Sequence, residues 1–449
     1  MSAPDGAPAG TAQGAAARGS VDYMRFGGEA ALVVGAGAFS NILSYVFHFV
    51  LSRRLGPEHY GTLVALMSIA GILAVLGGSL GTVAMQESAR MWAAHQDAQL
   101  GAFLRRAAAP VTILALVVAL VLFGCSFALG PYVHVTDPRL WLTLAAYVGV
   151  AVATAFARGV AQGAHRFGVF AASLAGEGIT KVGGGYGFVA AGLGVVGALA
   201  GLLASMVVAL LVAIVPMSSL REASESTQSA ALDHLRLGVS TLRVLGITAA
   251  SSALLFIDML FAKHHFSGED AGYFGAAGTL ARMLPFGISL ISLVVMPKAA
   301  AAAYAGRRAL ARVLGLTAAA SFGAIVLGSA ALVVFGQQLI LLTYGSAFAP
   351  AAGVLRAYTL DEALFALWLA ATSYLVALAR YAVFPFLLCA VVVEATCFAL
   401  FGSTPLRLLS IAIGVNAVLV PIVWWLAIGT LGGAAQASIP PRAENMTSR

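Results

Sequence analysis

Charged residues are scarce in this chain. Of its 449 residues only 10% are Asp, Glu, Lys or Arg, whereas in soluble domains about a quarter are charged. Hydrophobic residues make up 60% of the chain, and its mean hydropathy is +0.94. Such a chain lacks the polar surface that would keep a folded domain in water. The composition therefore excludes soluble enzymes and predicts an integral membrane protein.

Cysteine and recognisable catalytic motifs are also nearly absent. Cys125, Cys389 and Cys397 all lie in apolar stretches, and an odd number of such residues builds no disulfide framework. The sequence contains no phosphate-binding loop of the Gly-x-x-x-x-Gly-Lys-Ser/Thr type and no nucleophile constellation. We therefore expect no cofactor, no metal site and no nucleotide-driven activity of the chain itself.

Long apolar runs are what the sequence does contain. A helix needs about 20 mostly apolar residues to cross a bilayer, and such runs recur along the whole chain with short polar breaks. They predict an all-α, polytopic membrane protein with about twelve transmembrane helices. The spans are expected near residues 29–51, 60–84, 108–130, 139–162, 167–190, 193–216, 237–263, 271–297, 312–335, 350–379, 381–402 and 405–429.

The positive charges are unequally divided between the two predicted sides. If the N-terminus is cytoplasmic, the inner segments hold most of the arginines, Arg158 among them, and the outer loops hold few. Membrane proteins carry an excess of Lys and Arg in cytoplasmic loops. We therefore expect both termini in the cytoplasm and, from the bias toward Ala, Gly and Arg, a bacterial cytoplasmic membrane. The net charge of +7 then calls for anionic lipids rather than nucleic acid as a partner.

The predicted spans fall into two sets of six, separated by a polar segment at 217–236. The residues that open the second span, with Glu58 and Gly61, match those that open the eighth, with Glu269 and Gly272, at the same spacing. Both glutamates also suit a helix start, where a carboxylate meets exposed N–H groups. This pattern predicts a duplication. The expected regions are a disordered cytoplasmic tail at 1–27, a six-helix lobe at 28–216, a cytoplasmic linker at 217–236, a second six-helix lobe at 237–430 and a cytoplasmic tail at 431–449.

Several short motifs carry a resemblance to a known family. They are Ser52-Arg53-Arg54-Leu55-Gly56-Pro57-Glu58-His59-Tyr60-Gly61, Ile257-Asp258-Met259-Leu260, Ala271-Gly272-Tyr273-Phe274, Met296-Pro297, Tyr344-Gly345-Ser346-Ala347-Phe348, Leu355-Arg356 and Ala377-Leu378-Ala379-Arg380. In this order the chain resembles the polysaccharide-biosynthesis flippases of the multidrug/oligosaccharidyl-lipid/polysaccharide exporter superfamily. The layout covers most of the chain, and the individual motifs are short.

The resemblance implies an architecture and a function. The two lobes would face each other across a central cavity, and an undecaprenyl-diphosphate-linked glycan would be flipped outward by alternating access. The expected partners are then the lipid-linked glycan as substrate, membrane lipids, and a polymerase or glycosyltransferases of the same pathway. No nucleic-acid partner is expected.

Charged residues inside the predicted spans are the candidate functional residues. A charge near the middle of the bilayer costs at least about 2.5 kcal/mol, so each one requires a partner or a wet cavity. The candidates for substrate binding are Arg282, Lys181, Arg356 and Asn41. The candidates for ion coupling are the acids Asp258, Glu177, Asp361 and Glu394.

Arg282 is the candidate best suited to phosphate. It lies three residues before Pro285, which interrupts helix hydrogen bonding, and a guanidinium offers phosphate a planar pair of donors. The alternative is a structural ion pair with Asp258 or Glu177. Glu177 also lies four residues before Lys181, where the two side chains can pair on one helix face.

Other polar residues have plainer explanations beside the functional ones. Asn41 and His48 suit either the cavity or a hydrogen bond between packed helices. The group His264, His265, Glu269 and Asp270 has no spacing typical of a strong metal site, so we expect a short solvated loop there.

Other functions stay open at this stage. A cation-coupled drug exporter would need acids and aromatic groups in its cavity, and a lipid II flippase would share the diphosphate chemistry. A membrane glycosyltransferase or ligase would need a catalytic site on a sizeable outer loop, and the predicted outer loops are short. We therefore expect a transporter rather than an enzyme.

Overall fold

The computed structural model describes residues 10–94, 97–217 and 239–437, and every regular element in these ranges is a helix. The all-α prediction is therefore confirmed. A π-helical turn, Val189–Leu193, joins the fourth helix to the fifth. The α-helices are α1 (Gly10–Ala93), α2 (Asp97–Tyr132), α3 (Pro138–Gly163), α4 (Phe167–Phe188), α5 (Gly194–Ile214), α6 (Val239–His265), α7 (Gly268–Ala281), α8 (Met283–Ala305), α9 (Arg307–Thr343), α10 (Ala352–Ala377), α11 (Phe384–Phe401) and α12 (Pro405–Ala437).

Nine segments of the described residues are long and apolar enough to cross a membrane, and two of them contain more than one span. Helix α1 is broken at Gly56, whose φ of 72° is readily adopted only by glycine. We call its halves α1a (10–55) and α1b (57–93). The segment Phe167–Ile214 contains both α4 and α5. With α7 and α8 as one further, interrupted span, the described residues supply about twelve spans, as predicted.

Much of the predicted domain division lies outside the described residues. This applies to 1–9 of the N-terminal tail, to 218–236 of the linker and to 438–449 of the C-terminal tail. Helix α1 begins at Gly10, within the predicted tail. The domain boundaries therefore stay predictions.

Each half of the chain packs its own helices together. In the first half, Gly201 of α5 lies so close to Gly185 of α4 that a Cβ at position 201 would meet the backbone of α4. Small residues of this kind let membrane helices approach closely. In the second half, the Trp368 side chain of α10 donates a hydrogen bond to Asn416 Oδ1 of α12 at 2.8 Å. We call these two bundles the N-lobe and the C-lobe.

The repeated motif lies where the two lobes meet. A Cβ at Gly61 would lie 2.7 Å from the backbone nitrogen of Gly272, and a Cβ at Gly268 would lie 2.6 Å from Cγ of Glu58. The two copies of the motif therefore touch each other. Glu269 lies in the first turn of α7, so its predicted place at a helix start is confirmed.

Two further contacts join the lobes at this end of the molecule. The rings of Tyr60, Tyr344 and Phe348 pack together with centroids 5.4 to 5.7 Å apart. Arg53 of α1a donates from Nε to the carbonyl oxygen of Thr343 at 3.0 Å, where α9 ends. We call this set of contacts, together with the glycine contact, the closed end.

Candidate functional site

A cavity of about 270 Å³ lies between the lobes. The N-lobe contributes residues of α1a, α1b and α3 to its wall, and the C-lobe contributes residues of α6, α7 and α8. We call it the central cavity. It is lined by Asn41, Ser44, Tyr45, His48, Val64, Met67, Ser68, Ala70, Gly71, Ala74, Tyr147, Phe256, Thr279, Arg282 and Phe286.

A second space of about 670 Å³ follows on the side away from the closed end. Ala74 lines both spaces, so they adjoin at this residue. We call the second space the polar cleft. It is lined by Ala74, Val75, Gly78, Ser79, Thr82, Val83, Gln86, Val244, Leu245, Thr248, Ser252 and Tyr381. The lobes are thus in contact at one end and separated by a cleft toward the other.

Arg282 lies at the break between α7 and α8, where its backbone ψ of −7° departs from that of a regular helix. The predicted interruption near Pro285 is therefore confirmed. The break places the guanidinium at the wall of the central cavity, although only 4% of the residue is exposed. A buried, permanently charged group at such a break is typical of a functional position in a membrane protein.

The partners of Arg282 all belong to the C-lobe. Its Nη2 donates to both carboxylate oxygens of Asp258, at 2.7 and 2.9 Å, and to the Tyr358 hydroxyl at 3.1 Å. Its Nε donates to the carbonyl oxygen of Leu255 at 3.0 Å and lies 3.3 Å from Glu362 Oε1. The structure thus contains the ion pair with Asp258 that was the alternative role for Arg282. Glu177 does not pair with Arg282, because it lies in the N-lobe beside Arg158 and Lys181. No hydrogen bond within the described ranges uses Nη1 of Arg282.

Three buried carboxylates of the C-lobe, those of Asp258, Asp361 and Glu362, lie within electrostatic range of Arg282. A fourth buried carboxylate, that of Glu394, lies within range of these three. Asp361 accepts a hydrogen bond from the Asn416 side chain at 2.8 Å. One oxygen each of Glu362 and Glu394 is buried without a hydrogen-bond partner among the described residues. One cation does not balance four carboxylates in an environment of low dielectric constant, so this group requires bound protons or a bound cation.

The N-lobe holds a second charged group. Glu177 lies 2.8 Å from Lys181 Nζ and 2.8 Å from Arg158 Nη1, so the predicted pair of Glu177 and Lys181 is confirmed and has a third member. Arg158 is not a free loop charge, because its side chain is only 15% exposed and is held in this ion pair. Its assignment to the cytoplasmic side stays a prediction. Lys181 also donates to the hydroxyl of Ser44, which lines the central cavity.

Removing Glu177 is expected to destabilise the protein strongly. In Glu177→Leu both Arg158 and Lys181 lose their carboxylate, and breaking a buried ion pair from one side costs about 3 to 5 kcal/mol. We expect a clearly lower thermal midpoint in detergent, measured by fluorescence-detected gel filtration. The control is Glu87→Leu, whose ion pair with Arg90 is exposed and contributes about 1 kcal/mol or less. Equal shifts for the two variants would contradict the structural role of Glu177.

The structure separates the predicted substrate-binding residues into two groups. Arg282 and Asn41 line the central cavity, and Lys181 reaches it through Ser44. Arg356 is exposed on α10 and does not line this cavity.

Three residues of the site escaped the sequence reasoning. Glu362 pairs with Arg282, and its place beside Asp361 within a predicted span was an available signal. Tyr358 contacts both Asp258 and Arg282, but an aromatic residue in an apolar span carries no signal of its own. Arg158 was counted only as a charge near the end of its helix, and its ion pair with Glu177 was not predicted.

The group around His264 forms a packed junction. The His264 ring stacks on Tyr132 with centroids 4.0 Å apart, and Nδ1 hydrogen-bonds to the Tyr132 carbonyl at 2.7 Å. Glu269 and Asp270 belong to the first turn of α7. Within the described parts of the chain, no three or more His, Cys, Asp or Glu side chains are grouped as metal ligands would be.

Comparison with solved structures shows which fold this is. The inward-facing conformation of a multidrug resistance MATE family transporter of the MOP superfamily superposes with a TM-score of 0.70 at 15% identity, covering 89% of this chain and 96% of that one. The lipid II flippase MurJ, in an inward closed conformation, gives 0.64 at 13% identity, with 92% and 94% covered. A MOP superfamily transporter from Pyrococcus furiosus gives 0.62 at 15% identity, with 91% and 95% covered.

Sequence comparison identifies the family. A search among curated proteins finds no match for the chain. The family model described as polysaccharide biosynthesis protein matches residues 28–301, which is more than half of the chain. The chain is therefore a multi-pass membrane protein that has the fold of the MOP transporters and belongs to the polysaccharide biosynthesis protein family.

Proposed function

We propose that this protein is a transporter that flips a polyprenyl-diphosphate-linked oligosaccharide or polysaccharide repeat unit across the bacterial cytoplasmic membrane. Family membership links the chain to polysaccharide assembly. A cavity between two lobes is what alternating access requires, because rocking of the lobes then exposes one site to each side in turn. The observation that carries the proposal is the buried guanidinium of Arg282 at the wall of the central cavity.

In this proposal Arg282 binds the diphosphate and Lys181 attracts it from the N-lobe. Arginine binds phosphate oxygens through two parallel N–H groups, which lysine cannot do. Asn41 contributes a neutral hydrogen-bonding group to the same wall. The proposal does not depend on Arg356, which is exposed and outside the central cavity.

We assign ion coupling to the C-lobe carboxylates. Asp258 occupies Nη2 of Arg282, so a diphosphate competes with this carboxylate for the guanidinium. A proton or a cation bound at Asp258 neutralises the competitor and frees Arg282. Asp361 and Glu394 belong to the same group, whereas Glu177 balances the two cations of the N-lobe. Binding of the ion and of the substrate then favour each other.

A cation-coupled drug exporter is the second candidate. The excess of buried carboxylates over cations in the C-lobe favours it, and so do the rings of Tyr45, Tyr147 and Phe256 on the cavity wall, since aromatic faces attract cations. A lipid II flippase would use the same arginine chemistry as the leading proposal. An enzyme is not proposed, and glycosyltransferases of the same pathway are the partners that would supply the substrate.

The decisive experiment is transport in proteoliposomes. We expect the purified protein to move a fluorescent polyprenyl-diphosphate disaccharide between leaflets, followed by bleaching with a membrane-impermeant reductant. We expect the protein not to transport a fluorescent lipophilic cation across the membrane of the same vesicles. Movement of the cation without movement of the lipid would replace the leading proposal by the drug exporter.

The orientation follows from the positive-inside rule and places both termini and the linker in the cytoplasm. We expect Ser226→Cys, in the linker, to resist an impermeant maleimide in intact cells and to react after the cells are opened. Thr136→Cys, exposed between α2 and α3, is the control and should react in intact cells. Strong labelling of position 226 in intact cells would invert the topology.

A further inference from the structure

We infer that the polar cleft binds the glycan part of the substrate and that it takes an uncharged glycan. This inference rests on the proposed function, to which it adds the place of the glycan and its charge. Three observations carry it: the chemistry of the cleft wall, the junction between the cleft and the central cavity, and the contacts that close the cavity on its other side.

The wall of the cleft offers neutral hydrogen-bonding groups from both lobes. Among the described residues that line it, none is charged. The hydrogen-bonding groups are Ser79, Thr82 and Gln86 of α1b, Thr248 and Ser252 of α6, and Tyr381, which follows α10.

Three of these hydroxyls are arranged as acceptors. Ser79, Thr82 and Thr248 each donate to the backbone carbonyl four residues earlier, at 2.9, 2.9 and 3.0 Å respectively. A hydroxyl that has donated its hydrogen still has a lone pair for an incoming donor. The Gln86 amide both donates and accepts. Sugar hydroxyls do both as well, so a glycan can satisfy this wall.

An anionic glycan does not suit the same wall. A carboxylate that leaves water needs a cation or several N–H or O–H donors to replace its hydration. In the described part of the chain the wall of the cleft supplies no cation, and its back-bonded hydroxyls present oxygen atoms instead. A glycan that carries a uronic acid would therefore lose more on entering the cleft than a neutral one.

The position of the cleft relative to Arg282 gives the direction of the glycan. A diphosphate at Arg282 lies in the central cavity, whose 270 Å³ leaves little room for sugars. Toward the closed end the way is shut by His48, whose Nδ1 lies 3.0 Å from the Tyr60 hydroxyl. At Ala74 the cavity adjoins the 670 Å³ cleft, so the sugars extend that way.

The test uses the full-length protein in proteoliposomes with three fluorescent polyprenyl diphosphates. One carries a neutral trisaccharide, one carries a trisaccharide with a uronic acid, and one carries no sugar. The variant is Gln86→Leu with Thr248→Val. Two lost hydrogen bonds of about 1 kcal/mol each predict a rate on the neutral glycan about thirtyfold lower, with the sugar-free lipid moving at the wild-type rate. Wild type is expected to move the uronic acid lipid about tenfold more slowly than the neutral one.

The control for the threonine change is Thr396→Val, because Thr396 is exposed on α11 and is back-bonded in the same way to Val392 at 2.7 Å. We expect this variant to move all three lipids at the wild-type rate. The inference would be overturned if the cleft variant lost the same fraction of its flipping rate on the neutral glycan and on the sugar-free lipid, or if its rate on the neutral glycan were unchanged. Equal wild-type rates on the neutral and the uronic acid glycan would overturn it as well. If wild type moves none of the lipids, the proposed function fails together with the inference, whereas movement of the lipids without these differences overturns the inference alone.

Discussion

Arg282→Ala is expected to abolish flipping of the lipid-linked glycan, with a loss of about a hundredfold or more. The guanidinium is buried at the cavity wall, and two charge-assisted hydrogen bonds to phosphate contribute about 1.5 to 3 kcal/mol each. Arg282→Lys should recover only part of the rate, because the charge returns without the planar pair of donors. Rates in proteoliposomes, normalised to the folded protein recovered, measure both. Arg356→Ala is the control and should keep the wild-type rate, since Arg356 is exposed and outside the cavity.

The ion pair with Asp258 provides the opposing explanation and its own test. If Arg282 only neutralises Asp258, the loss in Arg282→Ala comes from a stranded carboxylate. The double variant with Asp258→Asn would then restore transport, because no uncompensated charge remains. The same logic applies to Glu362, which lies 3.3 Å from Nε. Rescue by Asp258→Asn or Glu362→Gln would exclude a substrate-binding role for Arg282, whereas we expect neither double variant to flip the lipid.

The fold was predictable because it depends on properties that are local in the sequence. Each span is recorded as a run of apolar residues long enough to cross a bilayer, and the polar linker marks the middle of the chain. The break at Gly56 falls between the predicted spans 29–51 and 60–84, which a polar stretch separates in the sequence. The interruption at Arg282 followed from Pro285, because proline has no N–H to continue the helix hydrogen bonding.

The composition of the site was predictable only in part, because pairing depends on how helices are rotated against each other. The pair of Glu177 and Lys181 was predicted correctly, because both residues lie on one helix and their spacing can be read from the sequence. The partners of Arg282 lie on α6 and α10, and no spacing in the sequence records which faces of those helices turn toward α7. Glu362 and Tyr358 were therefore missed, although Asp258 was among the alternatives.

The repeat shows the same limit. Matching Gly61 with Gly272 in the sequence indicated a duplication, but not that the two copies would touch. That contact depends on how the two lobes dock, which no local pattern in the sequence records. It gives the two glycines a shared role in closing one end of the molecule.

Gly61→Val is expected to force the closed end open and to slow transport about tenfold or more. Even a Cβ at position 61 would lie 2.7 Å from the Gly272 backbone nitrogen, and backbone cannot move aside as a side chain can. Overpacking costs about 1 to 3 kcal/mol, which shifts a two-state equilibrium about fivefold to more than a hundredfold away from the closed arrangement. Because alternating access needs both arrangements, the cycle slows even though the cavity residues are untouched.

Spin labels at Thr136→Cys in the N-lobe and Ser403→Cys in the C-lobe, in a chain whose native cysteines are replaced by serine, report this change. Both positions are exposed in loops on the same side as the closed end. We expect a single short distance between the two spin labels in the protein without further changes, and a longer distance between them in Gly61→Val. The control is Gly124→Val in α2, because a Cβ there meets nothing within 4 Å and the loss of a helical glycine is matched. It should keep both the short distance and the transport rate. An unchanged distance in Gly61→Val, together with normal transport, would mean that the lobes tolerate a side chain between them and that the glycine contact does not control the closed end.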